Sequence, residues 1–201
     1  MSKIKICGLS RIEDIVAVNS VLPDYIGFVF APSPRRIDGK TAIILRECLD
    51  HRITTVGVFV NQEIETIADL WRRGVIDLAQ LHGDEDTDYI ARLKAICGCA
   101  VIKAIGVGDE LPSLPEKADY CLFDSLSSKR GGSGKAFNWS LLKHYYGSPY
   151  FLAGGLTVAN ISNAINYLAP YCIDVSSGAE TNGIKDPDKI KEIVRLVRKA
   201  L

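Results

Sequence analysis

The sequence predicts an α/β fold, a single-domain (β/α)8 TIM barrel spanning residues 1–201, on three observations. Short β-rich runs alternate with helical patterns along the chain. Eight strand–helix units fit into 201 residues, about 25 residues each. No low-complexity segment, charge block or linker interrupts them. Strands alternating with helices imply a parallel sheet with right-handed crossovers, and eight such units close naturally into a barrel. The competing architecture is a doubly wound open sheet.

The units follow in order. Lys3 to Cys7 reads as the first strand, and an amphipathic stretch follows from Arg11 to Val21. Tyr25 to Phe30 precedes a helical pattern from Gly39 to Leu49, and Thr55 to Val60 precedes Glu63 to Arg73. Asp77 to Leu81 leads into Asp86 to Ile96; Ala100 to Ile105 leads into a weak helical stretch near Leu114. Tyr120 to Phe123 is followed by a short helix after Asn138, and Tyr150 to Ala153 by Val158 to Leu168. Cys172 to Val175 is the eighth strand, and the last helix runs from Pro187 to Ala200.

Composition narrows the functional classes. Apolar residues make up 47% and charged residues 24%, the balance of an ordinary globular chain. Lys and Arg number 24 against 24 Asp and Glu, so no field of one sign exists to hold a polyanion, and nucleic acid is not expected as a partner. No run reaches the roughly 18 apolar residues of a membrane span, and MSKIKICGLS lacks a signal-peptide core. A cytoplasmic location, with no membrane partner, is the expectation. The six cysteines are irregularly spaced, so no disulfide framework is expected. Cys97 and Cys99 form a close pair with no second pair or His cluster beside it, so no metal site is expected either.

In such barrels the chemistry sits at the C-terminal ends of the strands, and the period of two tells which side chains point inward. Ile4 and Ile6 share the face toward the helices; Lys3, Lys5 and Cys7 share the other. Cys7 therefore points into the barrel mouth with Lys5 one layer below. A nearby ammonium lowers a thiol pKa, which makes Cys7 a candidate base; the alternative is a buried core cysteine. Asp124 ends the apolar run Tyr120-Cys121-Leu122-Phe123, where a carboxylate is costly unless used or paired. It is a candidate general acid if its site raises its pKa, or else a helix cap.

Anions have three candidate hosts. Gly154-Gly155 follows the seventh strand, and Ser176-Ser177-Gly178-Ala179-Glu180 follows the eighth, with a short extra helix expected near Gly178. Loops in these two positions form the phosphate site of many barrels; ordinary turn glycines are the alternative. Gly131-Gly132-Ser133-Gly134-Lys135 superficially resembles a nucleotide-binding P-loop. It fails, because Lys129 stands where the first Gly belongs and Ala136 where Ser or Thr belongs. A lid hinged on Gly132 and Gly134 fits better. The Arg35-Arg36 pair after the second strand suits a carboxylate, or is simply solvated. Gln80 and His82, two apart, both point inward; His82 binds substrate or is a satisfied structural histidine. Asp174, in phase with Ser176, faces the mouth, to hydrogen-bond substrate or to pair with Lys5.

The motifs carry a resemblance. KICG at 5–8, GFVF at 27–30 with the following SPRR, VGVFVN at 56–61, QLHG at 80–83, LFD at 122–124, GGSGKAFNW at 131–139, GGL at 154–156 and DVSSGAE at 174–180 occur in one order along nearly the whole chain. In these the chain resembles the phosphoribosylanthranilate isomerases of tryptophan biosynthesis. Each motif is weak alone; the ordered set is highly specific. The resemblance implies Cys7 as general base, Asp124 as general acid, Arg36 on the anthranilate carboxylate and Asp174 close to the substrate. It further implies Gly154, Gly155, Ser177, Gly178 and Ala179 as phosphate cradle and GGSGK as mobile lid. The implied reaction is an Amadori rearrangement needing no metal or organic cofactor. The partner is a small phosphorylated substrate, and the chain is a monomer or homodimer. Two departures occur: Ala153 stands where the family often has Ser, and Phe123-Asp124-Ser125 replaces a common Leu-Asp-Thr. Indole-glycerol-phosphate synthase, a pentose-phosphate epimerase, a non-catalytic phosphate-binding barrel and a barrel that also takes a histidine-pathway aminoaldose are the rival readings. The first two call for a catalytic Lys or a metal-binding His pair, where this chain has Cys7.

Overall fold

In a computed structural model of the chain, residues 2–112, 116–125 and 137–200 are described. The weak helical stretch near Leu114 and the proposed lid, with Gly132 and Gly134, lie outside or largely outside these residues. The elements are β1 (Lys3–Cys7), α1 (Ile12–Val21), β2 (Tyr25–Val29), α2 (Gly39–Cys48), β3 (Thr54–Phe59), α3 (Ile64–Arg72) and β4 (Leu78–Leu81). They continue with α4 (Thr87–Cys97), β5 (Ala100–Val107), β6 (Tyr120–Ser125), β7 (Tyr150–Leu152), α5 (Ile161–Leu168), β8 (Cys172–Val175), β9 (Glu180–Thr181), β10 (Ile184–Lys185) and α6 (Pro187–Lys199). Strands β1 to β8 form a closed parallel barrel in sequence order. The open-sheet alternative is thereby excluded. The helix expected after Asn138 is a single 3-10 turn, Trp139–Leu142, capped by the Asn138 side chain.

Local chemistry accounts for the helix ends. Asp38, Asp86 and Asp186 cap α2, α4 and α6 by accepting backbone N–H groups that a first turn leaves unpaired. Pro187 opens α6, where its missing N–H costs nothing. Gly98 ends α4 at φ +71°, a left-handed conformation that glycine adopts without penalty.

The alternation of strand residues divides the core in two. Outward-facing Ile4, Ile6, Phe28, Phe59 and Ile173 pack against helix residues such as Val18, Leu45, Ile67, Ile190 and Val197. Inward-facing Tyr25, Val56, Ile102, Leu122, Phe151 and Cys172 fill the lower barrel. Phe151 meets Tyr25, Tyr120 and Tyr171 with ring centroids 5.4–5.7 Å apart. The Lys3 ammonium lies 5.1 Å from the centre of the Tyr171 ring. These rings make a floor under the barrel axis. Above them the lining turns polar, and there the mouth begins.

Candidate active site

The polar layer is organised by Lys5, whose side chain is fully buried. Closing the barrel sets Lys5 opposite Asp174 in the β1–β8 register. Its Nζ donates to Asp174 Oδ2 and to Gln80 Oε1, both at 2.8 Å. Burial disfavours the ammonium, but the Asp174 carboxylate and the Cys7 thiol outweigh it and hold the Lys5 pKa above its ordinary value. Asp174 Oδ1 is buried and has no hydrogen-bond partner. Asp174 thus pairs with Lys5 through one oxygen and offers the other as an acceptor. A buried, unpaired carboxylate oxygen in a cavity wall is a place for a ligand donor.

Above this layer stand Cys7, His82 and Asp124. All three line one cavity of about 710 Å³ at the C-terminal ends of the strands, within the range of small-molecule sites. The wall also includes Asp174, Gly154, Gly155, Ser176 and Ser177, with Val29, Val58 and Val60 giving an apolar side. β1, which carries Cys7, and β6, which carries Asp124, are separated on the short way round by β7 and β8.

Burial pushes the Asp124 carboxyl up to about 6, with Asp174 adding to the rise and the Ser125 amide opposing it. That is the direction a general acid needs. Ser125 N–H donates to Asp124 Oδ1 at 2.7 Å, which leaves Oδ2 toward His82 Nε2 at 3.6 Å. Burial first and the Lys5 charge second push His82 down to about 4, so the imidazole is neutral near pH 7. The contact with Asp124 is therefore not an ion pair.

Cys7 departs from the sequence expectation. The Lys5 ammonium does favour its thiolate, and Lys185 helps, but burial is larger and Asp174 adds to it. The net pKa is raised, not lowered. Sequence identifies the neighbouring charge but does not weigh it against the loss of solvent.

The anion cradle is tight. Gly154 and Gly155 have φ of +84° and +65°, a region that side chains other than Gly rarely enter. A Cβ on Gly154 would lie 2.7 Å from Ser125 N, and one on Gly178 would lie 1.9 Å from Leu156 O. The short helix expected near Gly178 is a 3-10 turn, Ser177–Ala179. Gly178 and buried Ala179 shape this turn from behind rather than lining the cavity.

Of the two arginines, Arg35 lines the cavity and Arg36 is exposed outside its wall. Arg35 is already engaged in a fork with Glu180, at 2.6 and 2.7 Å. Lys185 joins the same carboxylate and donates to Ser176 O at 2.9 Å. This cluster, which the sequence reading missed, braces the loop after β8. Its signal was present: Asn182-Gly183 is a hairpin turn, and it folds β9 onto β10 so that Glu180 and Lys185 stand opposite. Among the described residues no carboxylate holds the Arg36 guanidinium.

A second cavity, of about 540 Å³, is lined by Glu63, Glu65, Asp84, Asp86 and Asp88, a poor host for an anion. Among the described residues no group of three metal-ligating side chains occurs.

A profile for the N-(5'-phosphoribosyl)anthranilate isomerases matches residues 4–196. The chain belongs to this family. A relative in Endomicrobium trichonymphae, named N-(5'-phosphoribosyl)anthranilate isomerase, is 53% identical over 98% of this chain and 99% of its own. The Clostridium acetobutylicum protein of the same name is 45% identical over 99% of both chains. The crystal structure of phosphoribosylanthranilate isomerase from Thermotoga maritima superposes with a TM-score of 0.86, at 34% identity over 98% of this chain and 99% of that one. A family structure at TM-score 0.83 and 31% identity, covering 98% and 99% of the two chains, holds reduced 1-(o-carboxyphenylamino)-1-deoxyribulose 5-phosphate. The family's barrel thus frames the Lys5–Asp174 pair. Lys5→Met should destabilise the fold by about 3–5 kcal/mol in urea unfolding, because it leaves a buried carboxylate uncompensated. The double variant Lys5→Met/Asp174→Leu should recover most of that loss.

Proposed function

We propose that this chain is a phosphoribosylanthranilate isomerase that converts N-(5-phosphoribosyl)anthranilate into 1-(2-carboxyphenylamino)-1-deoxyribulose 5-phosphate. The observation that carries the reading is the pairing of Cys7 and Asp124 in one cavity wall, beside a glycine cradle fit for phosphate. In this reading Asp124 gives a proton to the furanose ring oxygen as the C1–O bond breaks. The nitrogen lone pair forms a protonated Schiff base at C1. Its positive charge acidifies C2, and Cys7 as thiolate removes that proton to give an enolamine. The enolamine gains a proton at C1 and loses its hydroxyl proton, which leaves the ketone. The substrate's own nitrogen is the electron sink, so the steps balance without metal or organic cofactor.

The phosphate would rest against the backbone at Gly154, Gly155 and Ser177, with Gly178 and Ala179 behind. Asp174 Oδ1, buried without a partner, would accept a substrate hydroxyl. The aryl ring would lie toward Val29, Val58 and Val60. Arg36 is our choice for the carboxylate because Glu180 occupies Arg35; its side chain must turn in from the rim. We take the chain as one catalytic domain that works in the cytoplasm, as a monomer or homodimer. No helix among the described residues is long and apolar enough to cross a membrane. One similar structure is of monomers generated from the dimeric Thermotoga maritima enzyme.

Loss of anthranilate-type fluorescence on adding fresh phosphoribosylanthranilate tests the reading directly. Cys7→Ser and Asp124→Asn should each lower kcat by at least ~10²-fold while substrate still binds. Full activity in either variant removes that residue from the mechanism. Arg36→Ala should chiefly raise KM, and an unchanged KM would return the carboxylate to another group.

The pH profile has a particular sign. Productive molecules need Asp124 protonated and Cys7 ionised, although the thiol, raised above its ordinary value near ~8.5, has the higher pKa. Below about pH 6 most molecules carry both protons, and the productive form grows as pH rises. Between the two pKa values its share is constant. Above the thiol pKa it falls, because Asp124 can no longer keep its proton once Cys7 has lost its own. The profile of kcat/KM should therefore rise to a plateau near pH 6 and descend only on the alkaline side of an ordinary thiol. In Asp124→Asn the break near pH 6 and the alkaline descent should both vanish, and the residual activity should climb with pH until the thiol itself ionises.

A further inference from the structure

The roles proposed above use Cys7 and Asp124 for proton transfer and leave two inward residues of β4 and its end, Gln80 and His82, without a chemical account. Gln80 is 2% exposed, and its amide bridges two groups of opposite demand. Lys5 Nζ can only donate, so the Gln80 atom 2.8 Å from it must be the oxygen. Reversing the amide would set two donors against each other beside a buried charge. The Gln80 nitrogen consequently faces His82 Nδ1, at 3.0 Å. An amide N–H₂ is also donor-only, so Nδ1 must be the acceptor of this bond. A neutral imidazole carries one proton, and Nε2 must then hold it. Burial and the Lys5 charge keep the ring neutral near pH 7. Each assignment follows from the last, and the chain begins at a group with no acceptor capacity.

We propose that Gln80 is a positioning residue: oriented by Lys5, it locks His82 as the Nε2–H tautomer, so that His82 cannot accept a hydrogen bond from the Asp124 carboxyl. His82 Nε2 is the ring atom 3.6 Å from Asp124 Oδ2, the oxygen left after Ser125 N–H has engaged Oδ1. In the opposite tautomer a lone pair would stand there and hold the carboxylic O–H turned toward the imidazole, away from the substrate. In the locked tautomer two donors face each other. The Asp124 proton must turn into the cavity, toward the ring oxygen it is to protonate. Once the proton has left, the same Nε2–H can donate to the new carboxylate. The interaction is thus favourable after transfer and not before it, as a rate-enhancing contact must be.

This inference rests on the isomerase reading, but its first test does not. Only three histidines occur in the chain, so ¹⁵N-imidazole spectra are readily assigned with a His82→Asn variant. Spectra of the free wild-type protein at neutral pH should show a protonated-type Nε2 and a bare-type Nδ1 for His82. Gln80→Glu replaces the donor by an acceptor and should move the proton to Nδ1. Its kcat should fall at least ~10-fold, less than the ~10²-fold or more expected for loss of an acid–base group itself, with KM changed less than about threefold. Gln80→Met, similar in length and uncharged, removes the donor and should give mixed tautomers with a smaller fall in kcat; it serves if the Glu variant does not fold. A wild-type His82 protonated at Nδ1 overturns the proposal, as does either folded variant that keeps both the wild-type nitrogen shifts and the wild-type kcat. Wild-type turnover of phosphoribosylanthranilate is measured separately. An inactive wild type with the Nε2–H signature would sink the isomerase reading and the catalytic half of this one, while leaving the tautomer standing.

Discussion

A single ammonium, buried at the centre of a barrel, organises the mouth above it. Lys5 has no exposed surface and only acceptors in reach, so it dictates the orientation of what surrounds it. It consumes one oxygen of Asp174 and leaves the other open, orients the Gln80 amide, adds to the burial that keeps His82 neutral and bears on Cys7. A buried ion pair of this sort is weak evidence for stability, since desolvation offsets most of its attraction. Its value here lies in direction. The cation converts a set of flexible polar side chains into one arrangement with defined donors and acceptors.

The same burial creates a tension between the proposed acid and base. Loss of solvent raises both Asp124 and Cys7, but only one of them benefits. A protonated carboxyl is what an acid requires, whereas a thiol must lose its proton to work as a base. With the thiol raised and Asp124 at about 6, the base holds its proton more tightly than the acid does, and the productive pair is the minor form of the free protein. The deficit need not persist once substrate is bound. Opening the sugar would place a cation on the substrate next to Cys7, and that charge favours the thiolate at the step that uses it. Stabilisation then appears as the reaction proceeds rather than in the resting site, which is the condition for it to accelerate turnover.

Much of this was legible from residue order. The period of two in KIKIC put Lys5 and Cys7 on one inward face, and the same phase put Asp174 and Ser176 at the mouth. Strand-end position singled out Asp124, and glycine placement singled out the cradle. Register was not legible: Lys5 meets Asp174 only because the first strand closes on the last, a contact 169 residues apart. Nor was degree of burial, which is why Cys7 was expected to be acidified. Arg35 and Arg36 are chemically alike and adjacent, so only the Glu180 fork distinguishes them. That fork depends in turn on a hairpin whose Asn182-Gly183 signal was readable but went unread.

The aromatic floor under the axis has a consequence for traffic. With Phe151 packed among Tyr25, Tyr120 and Tyr171, the barrel is a cup and not a pipe. Among the described residues this floor closes the lower end, and Cys7 faces the cavity at the mouth. A seated ligand therefore corks its own vessel. In the proposed reaction a hydrogen lifted from the sugar onto sulfur would find this floor beneath it, and its exchange with bulk solvent would wait for the mouth to clear.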